Sequence, residues 1–382
     1  MRGELLIAAG PGEWRAAWLE EGIAAELYVE RGLSSPAGSI LLGRVVRLAL
    51  SLDAALIDIG EERLGFLPVR ASERPEEGAR IVVQIRREAQ NGKGAYLTPH
   101  RDGPARMSQP ADPQPPIRLA PAPGFAAALA ARLPATPERI LASDAAILAG
   151  TRRAFPDAEL LHAPPETWPL DIDTLFDAAL SSTAAFSGGG TMHVEQTRAG
   201  AMIDIDTGTP ENGSAARTMR AANLAAVAAI GRQLRLRQIG GAVVVDFAAA
   251  EGKGLRDQIS TAMRDTLAGD PAKPQVLGWT RLGHFEIVRP RRGRPLADIM
   301  LDPETRAETD LTLAFKALRA LYREARAQPA ANWRLTVGSG IAAALRGPAA
   351  SALVALEARL GRSISLETRP AAALAPFDIG AL

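Results

Sequence analysis

The residues of this chain best suited to chemistry are carboxylates. In the segment IDIDTG, Asp204 and Asp206 lie two apart, so in a β-strand both side chains leave one face while Ile203 and Ile205 leave the other. Strand rise separates their Cα atoms by about 6.6 Å, a span over which one hard cation or its bound waters can be shared. Asp246 closes the apolar run AVVVDF and leaves a second strand at its C-terminal edge. Three such aspartates suggest a Mg²⁺ site. The plainer reading of a D-x-D is a helix cap or a turn, and the pattern alone does not separate the two.

Other chemistries are poorly served. The chain has 382 residues and no cysteine, which excludes disulfides, thiolate zinc sites and cysteine nucleophiles and is compatible with a reducing compartment. His100, His162, His193 and His284 are scattered without the spacing of a zinc site or a base–nucleophile pair, and His193 reads as a sheet-surface residue. Gly188-Gly189-Gly190 and Gly338-Ser339-Gly340 lack the lysine of a phosphate-binding loop and read as turns. Arg232, Arg235 and Arg237 in RQLRLRQ suit a solvated helix face, partners for acidic neighbours, or phosphate contact. The net charge of +1 argues against coating nucleic acid by bulk charge. No apolar run is long enough to span a bilayer and the first eight residues do not form a signal-peptide core, so a cytoplasmic protein with no membrane span is expected.

The elements that must position the aspartates follow from periodicity and punctuation. ELLIAA and GIAAELYVE are short β-leaning segments that open a sheet. From Ser39 to Thr98 five close strands, ILLGRVVRL, AALIDIG, LGFLP, ARIVVQIRR and GAYLT, suit a small closed barrel of the OB type. Its aromatics, Phe66 and Tyr96, fit base stacking and core filling equally well. Eight of the 26 residues 99–124 are proline, which predicts a linker or long loop. RILASD reads as a strand and DAAILAGTRRAF as a helix, with another helix at 172–180. TMHVEQT and AMIDID form a strand pair, a long helix covers about 217–238, and the VVV run suits a strand buried on both faces. A helix at 255–267 and a strand pair around 276–289 complete that unit, and 305–382 reads as a small α/β domain.

Several separated segments resemble the ribonuclease E/G family in the family's own order. They are ELLIAAGPGEWRAAWLEEGIAAELYVER, GSILLGRVVRLALSLDAALIDIGEERLGFLP, GGTMHVEQTRAGAMIDIDTG, NLAAVAAIGRQLRLRQIGGAVVVDF, RLGHFEIVRPR and ARLGRSISLETRP, and they cover nearly the whole chain. The resemblance implies an α/β multidomain fold. An RNase H-like subdomain (1–35 and 139–183) would hold an inserted OB-fold barrel (36–98) and a proline-rich, reduced sensor region (99–138). A DNase I-like catalytic subdomain (184–300) and a small C-terminal domain (305–382) would follow.

The resemblance also implies a Mg²⁺-dependent endoribonuclease, with Mn²⁺ as the substitute ion, that cuts single-stranded RNA to 5′-phosphate and 3′-hydroxyl ends. Asp204 and Asp246 match the metal-binding carboxylates, and Asp206 stands where the family usually has an asparagine that orients the site. Phe66 and Lys93 match barrel residues that touch RNA, and Arg289 matches an arginine near the cleavage centre. Three departures modify the expectation. The family's zinc-binding cysteine pair is missing, so a homodimer would not be zinc-linked. The stretch between Thr98 and Arg139 is too short for the usual 5′-end sensor, which predicts little 5′-end sensing. Asp206 adds charge beside the ion, and Ala249 stands where a second acidic residue often follows. The competing expectation is an RNA-binding relative whose altered site no longer turns over.

Overall fold

The computed structural model describes residues 3–32, 37–89, 93–100, 114–197, 199–207, 215–250, 252–369 and 375–382. The chain divides into two compact units, Arg31–Ala128 and the remainder, Met1–Glu30 with Leu129–Leu382.

The second of these opens with β1 (Gly3–Gly10), β2 (Glu13–Glu20) and β3 (Ile23–Arg31), an antiparallel start in which Leu5, Ile7, Ala17 and Leu19 are fully buried. The smaller unit then interrupts it with β4 (Ile40–Ala49), β5 (Ala54–Asp58), β6 (Gly65–Pro68), β7 (Arg80–Arg87), β8 (Tyr96–Pro99) and β9 (Ile117–Ala120). Strands run in the order β4-β5-β6-β8-β7 and return to β4, with β6 and β8 parallel, which closes a five-stranded barrel of OB connectivity. Closure requires β4 to pair on both edges, and Gly43 sits where a Cβ would press on Ile57 and the Asp58 carbonyl. Leu41, Val45, Ile57, Leu67, Val83, Ile85 and Leu97 fill the interior. The five expected strands are all present. The expected proline-rich linker is not wholly unstructured, because β9 pairs with β4; residues 101–113 lie outside the described residues.

The larger unit resumes after α1 (Phe125–Ala130) with β10 (Arg139–Ala142), α2 (Ala145–Ala154) and β11 (Glu159–His162). β10 lies parallel to β1, and β11 parallel to β10, giving the sheet β11-β10-β1-β2-β3. Next come α3 (Ile172–Leu180), β12 (Thr183–Phe186), β13 (Gly190–Gln196), β14 (Gly200–Asp206), α4 (Ala215–Leu236), β15 (Gly241–Asp246), α5 (Lys253–Ala268), β16 (Gln275–Trp279), β17 (Phe285–Arg289) and α6 (Leu296–Met300). They build a six-stranded sheet, β12-β13-β14-β15-β17-β16, in which only β14 and β15 are parallel. The crossover between that pair is α4. Ile230 and Leu234 of α4 and Ile259 and Met263 of α5 pack on Ile203, Ile205, Val243 and Val245.

The C-terminal part contains α7 (Asp310–Ala327), β18 (Trp333–Gly338), α8 (Ser339–Arg346), α9 (Ala350–Leu360), β19 (Ile364–Arg369) and β20 (Phe377–Ala381). Thr309 caps α7 by accepting from the Thr312 N–H at 3.1 Å, and Phe315, Leu318 and Leu321 repeat at helical spacing into its core. β20, absent from the sequence reading, runs antiparallel to β18. No single helix among the described residues is long and apolar enough to cross a membrane.

Candidate active site

The carboxylates come together at one end of the six-stranded sheet. In β14 the residues alternate strictly: Ala201, Ile203 and Ile205 are buried against the helices, and Met202, Asp204 and Asp206 are exposed. β15 repeats the alternation, with Val243 and Val245 buried and Asp246 exposed. The expectation that the VVV run is buried on both faces is corrected here. Ala242 is exposed and Val244 half-buried, because α4 and α5 cover only one face. The open face is therefore where the aspartates stand.

Register fixes which of them meet. Asp204 pairs directly with Asp246 across the parallel β14–β15 ladder, a Cα separation of about 4.8 Å. Asp206 continues the same face one pleat further, opposite Thr191. On the other side of Asp204 its partner is His193, also exposed. His284, in the turn between β16 and β17, brings Nε2 to 3.9 Å from Asp246 Oδ2, and its backbone N–H donates to Thr280 Oγ1 at 3.1 Å. One row thus reads His193, Asp204, Asp246, with His284 at its end. The sequence treated both histidines as unconnected, since their proximity depends on pairings with residues far away in the chain.

The segment after Asp246 is anchored from below. The buried Asn223 donates to the Ala248 carbonyl at 2.7 Å, and Arg256 Nε to the Ala250 carbonyl at 2.9 Å. Phe247 packs edge-on against Phe285 with ring centroids 6.0 Å apart. Ala249 adopts φ +42°, a left-handed conformation uncommon for alanine.

The donor set suits a hard cation. Mg²⁺ usually takes one or two carboxylates and keeps several waters, which two adjacent exposed carboxylates satisfy. Among the described residues no three histidine or acidic side chains converge on a closed cage. Asp204 and Asp246 are the pair that could hold the ion.

Arg289 stands elsewhere. It occupies the helix-packed face of β17, 2% exposed, and pairs in register with Gly241, at the opposite end of β15 from Asp246. Nε and Nη2 donate to Asp270 at 2.7 and 3.1 Å, and Nη1 donates to the Ile239 carbonyl at 2.6 Å. The structure does not bring it to the aspartates. Its parity with Phe285 and Ile287 in FEIVR is the sequence signal for its inward direction.

The barrel carries a separate surface. Phe66 and Tyr96 are register partners across the parallel β6–β8 pair, both half-buried on the outside while Leu67 and Leu97 point in. Their ring centroids are 6.0 Å apart, and the Arg87 guanidinium lies 4.6 Å from the Tyr96 ring centre. Lys93 is exposed just before Gly94, where a Cβ would strike the Leu64 carbonyl, so that segment lies tightly along the approach to β6. The result is a cation-edged aromatic platform of the kind on which bases stack. Tyr96 and Arg87 belong to it as much as Phe66, and the position of Arg87 could not be read from sequence because a bulge shifts the β7–β8 register.

A barrel of OB connectivity carried by an α/β chain with paired carboxylates at a sheet end is the class these parts define. Comparison with known proteins narrows it. The model of the Ribonuclease E/G family matches residues 165–292, which span the carboxylate sheet. Ribonuclease G of Escherichia coli (strain K12) is 25% identical over 488 aligned positions, covering 99% of this chain and 99% of its own length. Ribonuclease G of Haemophilus influenzae is 25% identical over 427, covering 84% and 87%. Ribonuclease E of Nostoc is 33% identical over 132, covering 34% of this chain and 19% of its own. This chain belongs to the ribonuclease E/G family.

Proposed function

We propose that this protein is an endoribonuclease that cuts single-stranded RNA with Mg²⁺, leaving 5′-phosphate and 3′-hydroxyl ends and sensing the 5′ end little. The observation that carries the reading is the direct register pairing of Asp204 with Asp246 on the open face of the sheet. A Mg²⁺ ion held there would supply an activated water and offset charge on the scissile phosphate.

The chain's own residues do the rest. Asp204 and Asp246 hold the ion, and Asp206, one pleat along, faces the same substrate space and orders its water. Phe66 and Tyr96 stack bases, while Arg87 and Lys93 offset backbone charge. Arg289 acts through position, tying the Ile239 turn that starts β15 to Asp270. Between β8 and β10, the described residues contribute one strand to the barrel and one short helix, which supports the reading of reduced 5′-end sensing. Without cysteine, any dimer is not zinc-linked, and the cytoplasm is the compartment proposed.

The second reading is an RNA-binding relative that no longer cleaves. Asp206 favours it, since a third carboxylate on that face adds charge that the matching asparagine lacks. A fluorogenic single-stranded RNA separates the two. Wild type with Mg²⁺ is expected to release product carrying 5′-phosphate, at similar rates for 5′-hydroxyl and 5′-monophosphate substrates. Binding without product at every Mg²⁺ and Mn²⁺ concentration would establish the second reading instead.

A further inference from the structure

The turn between α4 and β15 buries an arginine with no counter-ion. Of the three buried arginines among the described residues, Arg15 pairs with Glu13 and Asp173, and Arg289 with Asp270. Arg237, 4% exposed, forms no ion pair. Its Nε donates to Gln233 Oε1 at 2.7 Å, its Nη1 donates to the Ser181 carbonyl, and its Nη2 has no partner. Its neighbours in RQLRLRQ are accounted for: Arg235 bridges Glu20 and Glu26, and Arg232 donates to the Ala24 carbonyl. Burial lowers the Arg237 pKa to about 10, which leaves it charged at neutral pH. A guanidinium kept charged in the interior without a carboxylate is strongly unfavourable unless something else supplies the negative charge.

Arg237 lines a cavity of about 650 Å³ together with Ser181, Ser182, Glu195, Gln196 and Arg306. Arg306 is exposed and forms no ion pair among the described residues, so a second cation stands at the rim. Gln196 Oε1, also buried, has no partner. Glu195 is the one carboxylate of the lining, and it is exposed on the open face of β13, two residues from His193. The cavity mouth therefore reaches the sheet face that carries Asp204 and Asp246, while its floor is cationic.

We propose that this cavity is a binding site for a phosphoryl oxyanion, with Arg237 Nη2 as its buried anchor and Arg306 and the Ser182 hydroxyl as its rim. The site does not depend on whether the chain cleaves RNA. A planar guanidinium with a free N–H edge matches a tetrahedral oxyanion, and Ser182 adds a donor that needs no charge. Two sources present this group: a backbone phosphate of a strand lying on the open face, and a free phosphorylated small molecule.

The test is thermal unfolding of the full chain in EDTA, titrated with inorganic phosphate against chloride at equal ionic strength. Wild type is expected to rise in Tm with phosphate. Arg237→Met is expected to be at least as stable as wild type without phosphate, having lost an uncompensated charge, and to lose the phosphate response. Arg306→Ala, an exposed change that leaves folding intact, weakens phosphate binding about fivefold by calorimetry. A 2′-O-methyl oligonucleotide that displaces phosphate identifies the backbone as the source, and one that does not identifies a small molecule. The proposal is overturned if phosphate and chloride act alike on wild type. It is equally overturned if Arg237→Met destabilises the protein while Arg306→Ala keeps the full phosphate response.

Discussion

Asp246→Asn is the substitution on which the reading of the sheet end turns. Asp204 and Asp246 face one another across a parallel ladder, and no lysine or arginine is paired with either among the described residues. Two unit charges about 5 Å apart repel by about 0.8 kcal/mol in water and about 3 kcal/mol at an effective dielectric of 20. The Asp246 side chain is 55% exposed, so the lower figure governs, and a protonated His284 at 3.9 Å would reduce it further. Without divalent ion the asparagine variant should therefore be up to about 1 kcal/mol more stable than wild type, a rise of about 2 °C in Tm.

Divalent ion reverses the order. An ion present at ten times its Kd stabilises the protein that binds it by about 1.4 kcal/mol. Wild type gains this and the variant does not, so the two melting curves should cross as Mg²⁺ is titrated. Cleavage of the fluorogenic RNA should fall at least about a hundredfold in the variant, as expected when an electrostatic group at the reacting centre is removed. Differential scanning fluorimetry in EDTA and across a Mg²⁺ series provides the first measurement, and initial rates provide the second. A variant that melts below wild type in EDTA, or that keeps the wild-type response to Mg²⁺, refutes the argument that these carboxylates form an uncompensated pair awaiting a cation.

Phe66→Ala should weaken binding of a single-stranded oligonucleotide by about 1–3 kcal/mol in fluorescence anisotropy without altering the Mg²⁺-dependent Tm; unchanged affinity would remove the barrel platform from RNA contact. Acid stability offers a check in another part of the larger unit. Burial opposes ionisation of Asp173, yet the guanidiniums of Arg15, Arg319 and Arg323 together hold its pKa at about 2, below the ordinary 3.8. A depressed folded-state value means that the stabilisation, about 2 kcal/mol, is complete above the unfolded-state pKa and is lost as pH falls from about 4 towards 2. Urea midpoints of wild type should therefore drop more steeply over that range than those of Asp173→Asn, and parallel slopes would show that the arginine cluster does not stabilise the charged form.

Much of the site was legible before any fold was known. The alternation in IDID placed both aspartates on one face and the isoleucines on the other, because side-chain direction in a strand is set residue by residue. The five barrel strands were equally plain from their turns and β-branched runs. β9 and β20 were not: each is a short segment after a proline- or alanine-rich stretch, and each becomes a strand only because an open edge, of β4 or β18, is there to receive it.

The decisive facts belong to the tertiary structure. That Asp204 meets Asp246, and not Asp206, depends on α4 carrying the chain over to a parallel partner in one particular register. That His284 reaches Asp246 while Arg289 turns into the core depends on the antiparallel return of β17, which sets both residues' positions from a hairpin. The VVV run could not reveal that helices cover only one side of its sheet, since an apolar residue fits a half-covered face as well as a buried one. The sequence by itself determined the direction of each side chain, a local consequence of backbone geometry. The partners across each ladder were chosen by the folded chain, whose loops close over long separations to bury the most apolar surface.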